Sequence, residues 1–196
     1  MTRKDNFSIR LATELDISEL LALDQACWPT YLCLTEERIR KRLKNYPEGQ
    51  FVVLHNNQLG GCLYTQRINN ILELEKIKFD DLESRHVGRG QYLQLLSINT
   101  HPSFQKAGFG DKLRNFALQH ARLSGITSVV GITRCLHYDK TLTYENYVTK
   151  TKGELPIDPI LRFHVSGGAK IKCIVTNFRP EDVDNVGHGI LIEYVL

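Results

Sequence analysis

The stretch "HPSFQKAGFGDKL" (101–113) places Gly108 and Gly110, one residue apart, directly ahead of an amphipathic helical pattern. Glycines at such a turn let the backbone approach a ligand at distances that a Cβ would forbid. A turn that opens a helix also aims several N–H groups, and the positive end of the helix dipole, at one point. Gln105 and Lys106 stand beside it to add a side-chain donor and a charge. This set suits an anion, a pyrophosphate above all. Two familiar phosphate loops are excluded: G-x-x-x-x-G-K-[ST] does not occur, and the turn lacks the third glycine and the early position of a G-x-G-x-x-G fingerprint.

The elements that must position this turn can be read on either side of it. Upstream, "QYLQLLSINT" (91–100) has the nearly continuous apolar middle of a buried strand. Downstream, residues 111–125 form a helix whose inner face is Leu113, Phe116, Ala117, His120 and Ala121, stopped by Gly125. Nearer the N-terminus a strand (7–12) precedes a helix over 16–28. Ile17, Leu20, Leu21, Asp24, Cys27 and Trp28 share a face there, and Pro29 ends it. A second helix (35–46) opens on a threonine cap and an acidic first turn. Residues 50–68 read as two strands joined at Asn56-Asn57.

Residues 69–90 mix charge and apolar side chains without a period and are expected to be an insertion or lid. A buried strand (128–133), a helix over 141–153, a short helix running into Gly167-Gly168 (159–169) and two final strands (170–178 and 189–196) complete the chain. The pattern is α/β with a mixed sheet.

Bulk properties narrow the function classes. The 196 residues suit a single domain (1–196), and 42% hydrophobic with 24% charged residues is ordinary for a globular protein. An excess of 25 basic over 22 acidic residues is too small to argue for nucleic acid but suits an anionic ligand or an acidic partner. The five cysteines form no C-x-x-C pair, which implies reduced thiols, a cytoplasmic setting and no structural zinc. The start "MTRKDNFSIRL" lacks a signal-peptide core, and no apolar run is long enough to span a membrane.

Q-x-x-G-x-G after a mid-chain strand ending in "LLSINTHP", set in this order of elements, resembles the coenzyme A loop of the GNAT superfamily of acyl-CoA N-acetyltransferases. The resemblance implies a GNAT fold, a mixed sheet with flanking helices splayed between its fourth and fifth strands. Pantetheine would run along Leu96, Ser97 and Ile98, and the pyrophosphate would rest on Gln105, Lys106, Ala107, Gly108, Phe109 and Gly110. Many members use a strand glutamate to deprotonate an amine and a tyrosine in F-Y-x-x-x-G-F to protonate the thiolate. In "FHVSGGA" His164 takes the tyrosine's place, and the fourth strand carries Gln94 and Ser97 but no carboxylate. A thiol acceptor, with a pKa of about 8.5 against about 10.4 for an amine, needs less base.

With those changes the chain is similar to the GNAT-like loading domains of modular polyketide synthases and, more distantly, to malonyl-CoA decarboxylases. The resemblance implies decarboxylation of malonyl-CoA and acetyl transfer to the phosphopantetheine thiol of an acyl carrier protein, with no metal and no covalently bound cofactor. It implies catalytic roles for His164 and for Thr133 of "VVGITRC", and substrate contacts for Trp28 and for Arg179 of "TNFRPEDVDN". Alternatives at the residue level are His137 as the reacting histidine, Tyr144 or Tyr147 as a conventional acid, and Arg179 paired to Glu181 or Asp182. The basic run 38–44 is a solvated helix face or a dock for an acidic carrier, with Arg40 and Lys44 as its test positions. The competing functions are a conventional N-acetyltransferase and a non-catalytic acyl-CoA-binding module.

Overall fold

The computed structural model describes residues 7–105 and 107–196, so Lys106 lies outside the described residues. The chain forms two compact units, one of residues up to Gln66 with Leu95–Ala117, the other of Arg67–Gln94 with Leu118–Leu196.

In the first unit β1 (Phe7–Leu11) pairs antiparallel with β2 (Gln50–His55), which pairs antiparallel with β3 (Gln58–Ile68). The β2–β3 connection is the expected asparagine pair. Asn56 and Asn57 have φ of 50° and 64°, the twin left-handed residues of a type I′ hairpin. Two helices follow β1: α1 (Ile17–Cys27), which buries Ile17, Leu20, Leu23 and Asp24, and α2 (Glu36–Asn45). Leu23 rather than Leu21 completes the buried face of α1, because Leu21 is only half covered. Thr35 caps α2 by accepting from the Arg38 N–H. The basic run is not wholly solvated. Arg42 is 2% exposed, its guanidinium 5.1 Å from the centroid of the buried Tyr64 ring.

β4 (Tyr92–Thr100) ends in the first unit and leads through a 3-10 turn, Pro102–Phe104, into α3 (Phe109–Leu123). Its burial is uneven. Leu93, Gln94 and Leu95 are buried, whereas Leu96, Ser97 and Ile98 are all half-exposed. A strand covered on both faces would hide all three, so this part of β4 keeps an accessible surface. On α3 the buried apolar residues are Phe109, Leu113, Ala117, Leu118 and Ala121, while Phe116 reaches Phe51 edge-to-face at 4.8 Å.

The second unit is built on β5 (Ser128–Thr133), β8 (Lys170–Val175) and β9 (Gly189–Val195), with β9 antiparallel to both. The expected helix over 141–153 is cut short. α4 covers only Tyr144–Thr149, and β6 (Thr151–Lys152) and β7 (Leu155–Pro156) form a small ladder after it. Val148, Thr149 and Thr151 are β-branched and weaken the helix end, and Gly153 at φ 66° turns the chain between the two strands. α5 (Pro159–Ser166) follows. Its cap is Asp158, whose carboxylate accepts from the Ile160 and Leu161 N–H groups. Residues 69–90 hold two 3-10 segments, Leu72–Lys76 and Phe79–Arg85, rather than an α-helix.

Candidate active site

The glycine turn has the conformation its sequence implies. Gly108 sits at φ 73°, where an L side chain is strained, and its carbonyl accepts the Lys112 N–H of the first α3 turn. The His101 ring faces its own loop, its Nδ1 accepting from the Ser103 N–H at 3.2 Å. Gln105 and Ala107 are exposed and Gly108 and Gly110 half-exposed, so this backbone is accessible to an anion. Phe109 differs from its neighbours. Its side chain is 3% exposed and packs on Gly60, where a Cβ would lie 2.7 Å from the ring, so only its main chain is available to a ligand.

Trp28 follows α1 and donates its indole N–H to the Asn99 side-chain oxygen at 3.1 Å. The same oxygen accepts from the Ser97 hydroxyl at 2.8 Å, and the Asn99 amide donates to Asp24 at 3.2 Å. Asp24 also accepts the Leu34 N–H at 2.6 Å. One buried asparagine thus fixes the Trp28 ring against the accessible part of β4. The sequence places Asp24 only on the inner face of α1 and Asn99 only at the end of the strand "LLSINTHP" beside the expected pantetheine; neither is expected there to anchor Trp28. Burial, with the nearby Asp24 charge, pushes the Cys27 thiol up to about 11, and burial pushes the Cys135 thiol up to about 12. Neither is poised as a thiolate nucleophile, and all five cysteines are free of disulfides.

In the second unit His164 lies in the last turn of α5, 8% exposed. Its Nδ1 is 2.7 Å from the hydroxyl of Tyr194, a β9 residue 2% exposed. Phe163 meets the ring edge-on at 4.9 Å. The helix end that carries it is a Schellman closure. Ala169 N–H returns to the His164 carbonyl, Gly168 N–H to that of Val165, and Gly168 has φ 97°. His164 is therefore held by its own backbone and by Tyr194. His137, in contrast, is exposed.

Thr133 ends β5 opposite Ile190, and Tyr194 lies opposite Val129. Thr133 and Val129 are four residues apart and so share a sheet face with Tyr194, about 13 Å apart along the strand. The threonine is thus on the side of the sheet against which His164 packs. Asn185 and Asp158 fix the loop after it. Asn185 accepts the Cys135 N–H at 2.8 Å, and Asp158 accepts those of Leu136 and His137 at 2.8 and 3.0 Å.

Tyr144 and Tyr147 are occupied elsewhere. Tyr144 donates to Asn185 at 2.9 Å and Tyr147 to Asp158 at 3.2 Å, and burial pushes both phenols up. These pairings leave them as poor conventional acids. Asp182, a suggested partner of Arg179, pairs with Arg134 at 3.1 Å. Arg179 itself stacks on Phe79, its guanidinium carbon 3.8 Å from the ring centroid.

A family model described as acetyltransferase (GNAT) family matches residues 17–139. Among solved structures the loading GNATL domain of CurA from Lyngbya majuscula is 33% identical, covers 97% of this chain and 98% of its own, and superposes with a TM-score of 0.92. The GphF GNAT-like decarboxylase, solved in complex with isobutyryl-CoA, is 38% identical over 96% of this chain and 98% of its own, with a TM-score of 0.91. The Bacillus subtilis protein described as probable hydrolase YhcX is 23% identical over 95% of this chain, which spans only 38% of that protein's length. The accessible strand, the glycine turn at a helix start and the α/β frame agree with these likenesses. The chain belongs to the acetyltransferase (GNAT) family.

Proposed function

We propose that this chain binds malonyl-CoA, decarboxylates it to an acetyl thioester, and passes the acetyl group to the phosphopantetheine thiol of an acyl carrier protein. The observation that carries the reading is His164. It occupies the motif position of a conventional tyrosine acid and is held by Tyr194 at 2.7 Å. The likeness to a polyketide loading domain and to a GNAT-like decarboxylase supports it. So does the engagement of Tyr144 and Tyr147 with Asn185 and Asp158.

In this reading the CoA pyrophosphate rests on the main chain of Gln105, Ala107, Gly108, Phe109 and Gly110, with Lys106 supplying charge. Leu96, Ser97 and Ile98 border the pantetheine, and Trp28 the acyl group. Breaking the bond between the α-carbon and the carboxylate releases CO₂ and leaves its electron pair as an enolate. The barrier falls if donors are fixed where the enolate oxygen charge develops. The Thr133 hydroxyl and an imidazole N–H are two such donors. With Tyr194 taken as the donor to Nδ1, the ring proton is on Nε2. A proton from solvent water at the α-carbon gives the acetyl thioester; the carrier thiol then loses its proton, attacks the carbonyl as the thiolate, and the CoA thiolate that leaves takes up a proton. Arg179 holds the carboxylate before it leaves by a two-pronged contact.

Mass spectrometry of malonyl-CoA incubated with the protein, with and without a phosphopantetheinylated carrier, tests this. The expected products are acetyl-CoA and acetyl-carrier, with His164→Ala lowering turnover about 10²- to 10³-fold. Unconsumed malonyl-CoA overturns the reading. Acetyl-CoA consumption with an amine instead establishes the N-acetyltransferase, and binding without product the non-catalytic module.

A further inference from the structure

Trp28 is the only tryptophan of the chain, and the loop that carries it is tied twice to one buried carboxylate. Asp24, 2% exposed, accepts the Leu34 N–H at 2.6 Å with one oxygen and the Asn99 amide at 3.2 Å with the other. The first bond closes the loop back onto α1. The second aims Asn99, 3% exposed, whose oxygen takes the Trp28 indole N–H at 3.1 Å. The Trp28 main chain is fixed as well. Its N–H donates to the Asp24 carbonyl at 2.9 Å, and its carbonyl accepts from the Cys33 thiol at 3.6 Å.

Hydrogen-bond polarity dictates this arrangement. A main-chain N–H and an indole N–H only donate, so the 24–99 pair must present an acceptor at each of its outer ends. Two amides cannot do so, because each would then turn its NH₂ toward the other. Asp24 supplies the group that accepts on both sides, and Asn99 turns its amide nitrogen inward. The Ser97 hydroxyl, 2.8 Å from the same Asn99 oxygen, directs its one proton there too. Trp28 and Ser97 are half-buried, whereas Asp24 and Asn99 are covered. The pair therefore acts on a ligand through the residues it holds.

We propose that Asn99, aimed by Asp24, is the positioning residue for the acyl end of the CoA ester, holding Trp28 as a fixed wall that raises affinity for an acyl-CoA over free CoA. The inference rests on the proposed reading, in which Trp28 borders the acyl group. A ring immobilised beforehand makes its contact without giving up rotamer freedom when the ligand arrives. A loosened indole moves on the picosecond-to-nanosecond scale and loses that advantage.

The test combines time-resolved fluorescence anisotropy of Trp28 with isothermal titration of acetyl-CoA and of free CoA into the full chain. Neither ligand has a carboxylate to lose. In the unmodified chain the indole is expected to show no fast local motion, and acetyl-CoA to bind more tightly than CoA. Asn99→Leu should free the indole and weaken acetyl-CoA about tenfold while CoA stays within twofold. Asp24→Asn, which keeps the bulk but sets two amides against each other, should shift both readouts in the same direction. The exchange of Asp24→Asn with Asn99→Asp restores an acceptor at each end and should return both readouts to the parent values. An indole that stays fixed in the single variants overturns the proposal. So does an equal loss of affinity for both ligands, an exchange that restores neither readout, or an unmodified chain with no preference for acetyl-CoA. Decarboxylation is scored separately by CO₂ release from malonyl-CoA, so failure of that reaction is distinct from failure of the affinity ratio.

Discussion

A phenol 2.7 Å from an imidazole nitrogen, both groups buried, restricts what the ring can do. In the proposed reaction Tyr194 donates, Nδ1 accepts, and the proton offered to the substrate belongs to Nε2. Tyr194→Phe should then lower kcat for malonyl-CoA decarboxylation about tenfold, with KM nearly unchanged, because the ring is disoriented rather than lost. Steady-state kinetics of CO₂ release check this. Asp16 offers a residue-level prediction of stability. The Arg10 guanidinium, at 2.7 and 2.8 Å from its two oxygens, holds its pKa down to about 2, with the Thr13 N–H also donating. A carboxylate depressed in the folded state stabilises it above the unfolded pKa of about 3.9 and loses that stabilisation as pH falls through the folded value. Asp16→Asn should cost about 1–2 kcal/mol in urea unfolding at pH 7, and the gap from the parent should narrow between about pH 4 and 2.

Among the elements, α5 and the loop after β5 are tied by one carboxylate. Asp158 is 0% exposed and accepts from the main chains of Leu136, His137, Ile160 and Leu161 and from the Tyr147 hydroxyl. Asp158→Ala removes the α5 cap and strands buried donors, so it should destabilise by about 3 kcal/mol or more in denaturant titration. The turn beyond Arg179 contains Val186 at φ 48°, a left-handed conformation that a β-branched residue adopts at a cost. Val186→Gly should raise stability by about 1 kcal/mol, read as a higher melting temperature. The elements most legible from sequence were those closed locally. The Asn56-Asn57 hairpin, the glycine turn and the Gly168 helix end each depend on residues within a few positions. The false extension of α4 to 153 has the opposite origin, since periodicity there continued past residues that the β6–β7 ladder recruits.

At the scale of the whole molecule the net charge of +3 is modest, and its placement matters more than its sum. Arg40 is committed to Glu14 and Glu36, so it contributes less to a docking field than its exposure suggests. Lys41 and Lys44 remain on the exposed face of α2. If the proposed carrier is met there, Lys41→Glu with Lys44→Glu should lower carrier acylation several-fold at low salt and leave malonyl-CoA decarboxylation unchanged. Acylation rates measured across a salt series check it, because the gap should close as screening shortens to about 3 Å near 1 M.

By itself the sequence determined the α/β class, the strand–turn–helix with its accessible glycines, and the helix end at Gly167-Gly168 that follows His164. Each of these is written in neighbouring residues and in the short-range sterics of the backbone. Tertiary structure alone decided that Tyr194 braces His164 across 30 positions, that Asn99 anchors Trp28, and that Phe79 lies under Arg179. These are contacts between distant chain segments, brought together by the burial of apolar faces whose register no local pattern encodes.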